Sequence, residues 1–162
     1  MPRMAANRSP AQSGAAFVEL VIAMPVLVVV LMGSADFARV LYYTIELTNA
    51  ARAGAQYASF NSVQATEAGN ITTAARNAAP NISLSASDVS LASPPNKCYC
   101  ANNDGTGQPW SAVACNSTCS GSQHMVESVT VTVTKTFSTI SRFPGIPSSL
   151  TLSRTATMRV AL

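Results

Sequence analysis

The chain has 162 residues, enough for one domain with a modest core. Only 10 % of them are charged, far below the roughly 25 % of an average soluble domain, and the net charge is +3. A surface for nucleic acid needs clustered Lys and Arg on one face, and this chain has none.

Residues 1–14 are polar, with prolines at positions 2 and 10, and end in Gly14. Arg3 and Arg8 stand there with no acid to oppose them. Residues 15–35 are then almost wholly apolar. As a helix this run spans about 31 Å, the thickness of a bilayer's hydrocarbon core. The cations on the short leading side predict a cytoplasmic N-terminus and an exported remainder. Asp36 and Arg39 mark the outer boundary.

Glu19 breaks the apolar pattern. A carboxylate in a membrane helix costs about 2.5–3.5 kcal/mol on insertion scales, so it calls for a partner. A cut after Gly14 provides one: Ala15 becomes the N-terminus, and its ammonium lies four residues from Glu19 on the same helix face. Pro25 lacks the N–H that the Val21 carbonyl would accept, which predicts a kink in the membrane helix. Beyond the bilayer, Phe37, Leu41, Thr44, Thr48, Ala51, Ala55 and Ala58 recur at helical spacing. They predict a helical continuation over residues 37–62 whose stripe packs under the exported domain.

Gly14 followed by Glu19 ahead of an apolar run resembles the processing site of type IV pilins and pseudopilins. The longer pattern resembles the TadE-like family, pseudopilins of the tight-adherence (Flp) pilus. It comprises GAAFVE at 14–19, Pro25, DFAR at 36–39 and NAARAGA at 49–55. Leu20 departs from it, standing where the pilus subunits usually have Tyr. The resemblance implies a minor pilin acting in assembly of an adhesive pilus, with Gly14 and Ala15 as the scissile pair. It implies Glu19 as the residue recognised by an inner-membrane prepilin peptidase, and other pilins and assembly proteins of the same system as partners.

Residues 64–79 carry a weaker helical pattern ended by Pro80. Ile82, Leu84, Val89 and Leu91 then alternate with Ser and suggest short strands. Cys98, Cys100, Cys115 and Cys119 all fall in a segment rich in Ser, Pro, Asn and Gly. In an exported chain this even, clustered set reads as two disulfides closing a loop over 98–119. The alternative, a zinc site, is disfavoured by the C-x-C spacing. A bridge within Cys98 and Cys100 would be strained, so each is expected to pair with Cys115 or Cys119. Trp110 is expected to anchor that loop. Val129, Val131 and Val133 alternate with Thr, and Leu150, Leu152, Ala156, Met158, Val160 and Leu162 keep even parity. Both are period-2 patterns, joined across the turn-rich residues 143–147.

The fold expected is α+β: a long N-terminal helix, transmembrane in its first half, with a small antiparallel sheet, as in type IV pilins. The expected parts are a cytoplasmic leader (1–14), a membrane span (15–36), a periplasmic helix (37–62) and an exported domain (63–162). No cofactor or metal is expected, nor enzymatic activity: His124 is the sole histidine, and no G-x-S-x-G elbow occurs. The competing reading takes residues 1–35 as an ordinary signal peptide cut near Gly33, Ser34 and Ala35, leaving a secreted or anchored periplasmic binding domain.

Overall fold

A computed structural model describes residues 10–102, 112–140 and 147–161. Trp110, Leu162, residues 143–146 and the leader cations Arg3 and Arg8 lie outside the described residues. The chain is α+β, with one long helix and a four-stranded antiparallel sheet.

Helix α1, Pro10–Ser59, runs unbroken through Pro25. Among the described residues nothing packs on its first half: every residue from Gly14 to Ala35 is exposed, Phe17 at 66 % and Ile22 at 70 % among them. Its second half carries the domain. Leu47, Ala50, Ala51, Ala55 and Ala58 are buried there, and their small size lets other elements come close. At Gly54 a Cβ would stand 3.2 Å from Ala75 Cβ and from Val131 Cγ1, so helix and sheet both meet α1 at this point.

The buried face of α1 is rotated from the expected stripe. Ala51, Ala55 and Ala58 are on it, but Phe37 is 64 % and Leu41 48 % exposed, while Asp36 is buried. Period alone fixes a stripe's spacing and not its angle. The apolar residues at 37 and 41 continue the membrane-type pattern on the back of the helix.

The helical pattern at 64–79 resolves into α2, Ser62–Thr66, and α3, Ala68–Asn77. Asn61 caps α2 by accepting the Gln64 N–H at 2.9 Å. The strands expected around Ile82 and Leu84 are absent. Pro80–Ile82 forms a 3-10 turn, and both apolar side chains are buried from it.

The sheet holds β1 (Val89–Asn102), β2 (Ala112–Val113), β3 (Gln123–Ser138) and β4 (Ser149–Arg159), in the order β2-β1-β3-β4. Strand β1 runs through residues that composition marks as loop. It pairs with β3 on both sides of a register shift between Leu91 and Asn96, and Pro94 and Pro95 sit in that irregularity. Val129, Val131 and Val133 of β3 point inward and are fully buried. Burying each is worth about 1.5–3 kcal/mol. On the opposite face, threonine hydroxyls bond across β3 and β4, Thr130 to Thr157 at 2.8 Å and Thr132 to Thr155 at 2.9 Å.

Strand β3 runs antiparallel to α1. Val131 lies by Gly54, Phe137 stacks on Tyr43 with ring centroids 5.1 Å apart, and Ile140 meets Asp36. The end of β3 and the start of β4 therefore lie nearest the apolar half of α1. The disulfide-bearing end of β1 and the start of β3 lie at the opposite end.

Candidate functional site

Gly14, Ala15 and Glu19 occupy successive turns near the start of α1, all exposed, and a Cβ at Gly14 would meet nothing within 4 Å. The structure brings no other described residue to them. Glu19 shares one face with Ile22, Ala23, Val26 and Leu27, which line a shallow apolar groove along the helix. Residues 15–35 thus present an uninterrupted greasy cylinder with one carboxylate, helical from end to end. Water is a poor solvent for such a surface; a bilayer or apolar neighbouring helices suit it.

Where that cylinder ends, a clamp seats the domain. Asp36 Oδ1 accepts the Ile140 N–H at 2.9 Å, and Arg39 Nη1 donates to the Ser138 carbonyl at 3.2 Å. The Arg39 guanidinium stands 5.6 Å from the centre of the Phe137 ring and 3.6 Å from Asp36 Oδ1. Sequence reading marked Asp36 and Arg39 only as a boundary. Their partners lie about a hundred residues away, and no local pattern announces Ser138 or Ile140.

A second buried carboxylate was not anticipated. Glu127 is 3 % exposed and accepts hydrogen bonds from Ser62 Oγ and Asn96 Nδ2, each at 2.8 Å. It joins α2, β1 and β3, and its backbone carbonyl takes the Val160 N–H at 2.9 Å. Every bond it makes is internal to the fold, which suits a structural role.

At the far end, the four cysteines form two disulfides, Cys98 with Cys115 and Cys100 with Cys119. The bridges interlace and tie the end of β1 to the segment before β3. No free cysteine is left among the described residues, so these sulfurs hold no metal. His124 is exposed on β3.

Among the described residues Glu67, Tyr57, Asp88 and Tyr42 carry shifted acidities, the Tyr42 phenol raised by burial and by Glu46 beside it. Glu67 accepts from Asn70 Nδ2 at 2.9 Å and Tyr57 Oη at 2.7 Å, and these bonds hold its carboxyl below the ordinary range. The same bond raises the Tyr57 phenol. Burial pushes Asp88 upward, but the Lys135 ammonium at 2.8 Å and the Ser85 bonds outweigh it and leave its carboxyl lowered. None of them lies in the apolar run at residues 15–35.

No curated protein and no solved structure matches the chain. A family model described as TadE-like protein matches residues 14–56, the helix segment from Gly14 almost to the end of α1. The matched stretch holds Gly14, Glu19, Pro25, Asp36 and Gly54, so the match spans both the greasy cylinder and the Ala-lined seat of the domain. Over these residues the N-terminal helix is similar to the TadE-like family.

Proposed function

We propose that this protein is a minor pilin or pseudopilin that acts in assembly of a tight-adherence (Flp) adhesive pilus. In this reading α1 crosses the bacterial inner membrane, with residues 1–14 cytoplasmic and the disulfide-bearing domain in the periplasm. A prepilin peptidase recognises Glu19 and cuts between Gly14 and Ala15. The new Ala15 ammonium then neutralises Glu19, in its own chain or in a neighbouring subunit, and so sets the stagger between packed helices. Pro25 leaves the Val21 carbonyl without an amide, and a kink there lets a packed neighbour satisfy it.

The observation that carries this reading is a single ionisable side chain, Glu19, within an exposed apolar helix that matches the TadE-like model. An intramembrane carboxylate is costly unless a task retains it. Sequencing the N-terminus of the protein from its native membrane tests the proposal, and Ala15 is expected. A chain beginning at Met1 would remove the processing step, and one beginning at Asp36 would establish the signal-peptide alternative. Glu19→Ala is expected to insert normally yet fail in processing or assembly; unchanged piliation would refute the role of Glu19.

A further inference from the structure

The two edges of the sheet are treated differently. On the β1 side the edge is blunted: β2 covers Cys98 and Tyr99, and the register breaks between Leu91 and Asn96 around Pro94 and Pro95. On the other side β4 is long and regular, pairing with β3 from Ser149 to Arg159 without a shift and without a proline. Among the described residues no other strand pairs with it. Bare edges of this kind accept strands from other chains, which is why proteins usually protect them.

The outward groups can be assigned. Val160 donates to the Glu127 carbonyl at 2.9 Å and Thr139 to the Ser148 carbonyl at 3.1 Å. Even-numbered residues from Ser148 to Val160 therefore make the hydrogen-bonded pairs with β3. Thr151, Ser153, Thr155 and Thr157 aim N–H and C=O at the open edge. Their hydroxyls bond across to β3 and hold the strand in place, for instance Thr151 to Thr136 at 2.7 Å.

Arg154 selects what can join. It pairs with the buried Val133, so it lies on the core-facing side of β4, whereas Arg159, paired with Ser128, lies on the other face. It is exposed and has no carboxylate partner among the described residues; Nη1 donates to the Ser153 carbonyl at 2.8 Å. That carbonyl is one of the outward acceptors. An incoming strand would supply an amide to it and release the guanidinium. Two copies meeting edge to edge would set Arg154 near its twin, a repulsive arrangement.

The geometry points to β4 as a strand-addition site for an extended segment of a different protein, one with alternating apolar side chains and a carboxylate beside Arg154. Main-chain bonds supply the affinity, and the Arg154 pair supplies the choice of partner. This rests on the sheet alone and holds whether or not Gly14 is cut.

The test uses the full-length protein in detergent micelles and labelled peptides copying residues 128–138, with Glu, Val or Lys in place of Val133. Fluorescence anisotropy is expected to rank them Glu, Val, Lys, with at least roughly a fivefold gap between the extremes. Amide exchange at Thr151, Ser153, Thr155 and Thr157 should slow when peptide is bound. Thr155→Pro removes an outward N–H together with the Thr132–Thr155 hydroxyl bond and leaves the main-chain pairs with β3; it should abolish binding at the melting temperature of Thr155→Val, which loses the hydroxyl bond alone and keeps binding. Should Thr155→Pro unfold, Arg154→Glu keeps the test open by reversing the ranking to favour Lys. A ranking blind to charge, or no protection of these amides, would overturn the proposal. Protection that appears with protein concentration and no peptide would overturn it in favour of a second copy.

Discussion

Asp36 and Ile140 are 104 positions apart in sequence, yet the Asp36 carboxylate accepts the Ile140 amide at 2.9 Å. That bond fastens the end of β3 to the helix at the last point before the apolar run. Asp36→Ala leaves the amide unsatisfied and removes the Arg39 pair, and should cost about 1–3 kcal/mol. Denaturant unfolding would measure the loss, and proteolysis of the β3–β4 turn should accelerate. Ser34→Ala, two residues earlier, should change neither.

Gly54 and Gly69 form a contrasting pair. A Cβ at Gly54 would meet Ala75, Val131 and the Ile71 carbonyl at 3.2–3.3 Å, whereas at Gly69 it meets nothing within 4 Å. Gly54→Val should destabilise the domain by about 1–3 kcal/mol through overpacking. Gly69→Ala should be neutral or stabilise by up to about 1 kcal/mol. Paired thermal melts would show opposite or null shifts; equal losses would refute the close packing at Gly54.

The two disulfides close segments separated by 17 and 19 residues. Loop-closure entropy assigns about 3 kcal/mol to either bridge alone, and less to the second once the first has formed, because the loops interlace. Replacing Cys100 and Cys119 together by Ser should lower the melting temperature, and replacing all four cysteines should cost more than twice as much. The Asp36 clamp, at the opposite end, should keep its amide protection in the first variant.

The Asp88 carboxyl is lowered in the fold, so its contribution is complete above its unfolded value near 3.8 and disappears as pH falls through the folded value. Glu67, lowered from 4.5, behaves in the same direction. Tyr57 is raised from 10.0, so its contribution is complete below that value and is lost as pH climbs through the raised one. Stability should therefore be flat near neutrality, fall below about pH 4 and fall again above about pH 10. Lys135→Met should shrink the acid limb, and Tyr57→Phe the alkaline one.

Most of this architecture can be read from periodicity. The valine and threonine alternation in β3 and β4 reflects one buried and one wet face, and the apolar helix follows from composition alone. Two features were not legible for physical reasons. The angle of the α1 seat depends on which neighbours arrive, so the period alone points Phe37 and Leu41 inward when they lie outside. Strand β1 hides behind Pro94 and Pro95, because pairing with β3 on either side of a bulge compensates for poor local propensity. The cysteine set could be recognised as disulfides, but the choice between two pairings needed the strands' positions. Asp36 was visible as a charge, while its partner on a distant turn was not.

The antiparallel course of β3 along α1 fixes the order in which the molecule can mature. On the proposed topology the alanine face from Leu47 to Ala58 leaves the membrane first, but Val129, Val131 and Val133, which cover it, emerge some seventy residues later. Until they arrive, the helix offers a naked, sticky surface close to the lipid. A chain whose earliest segment is completed by its latest has a slow, non-local route to the native state. Quality control in the envelope would thus act on this subunit during a vulnerable interval before the hairpin zips down onto its helix.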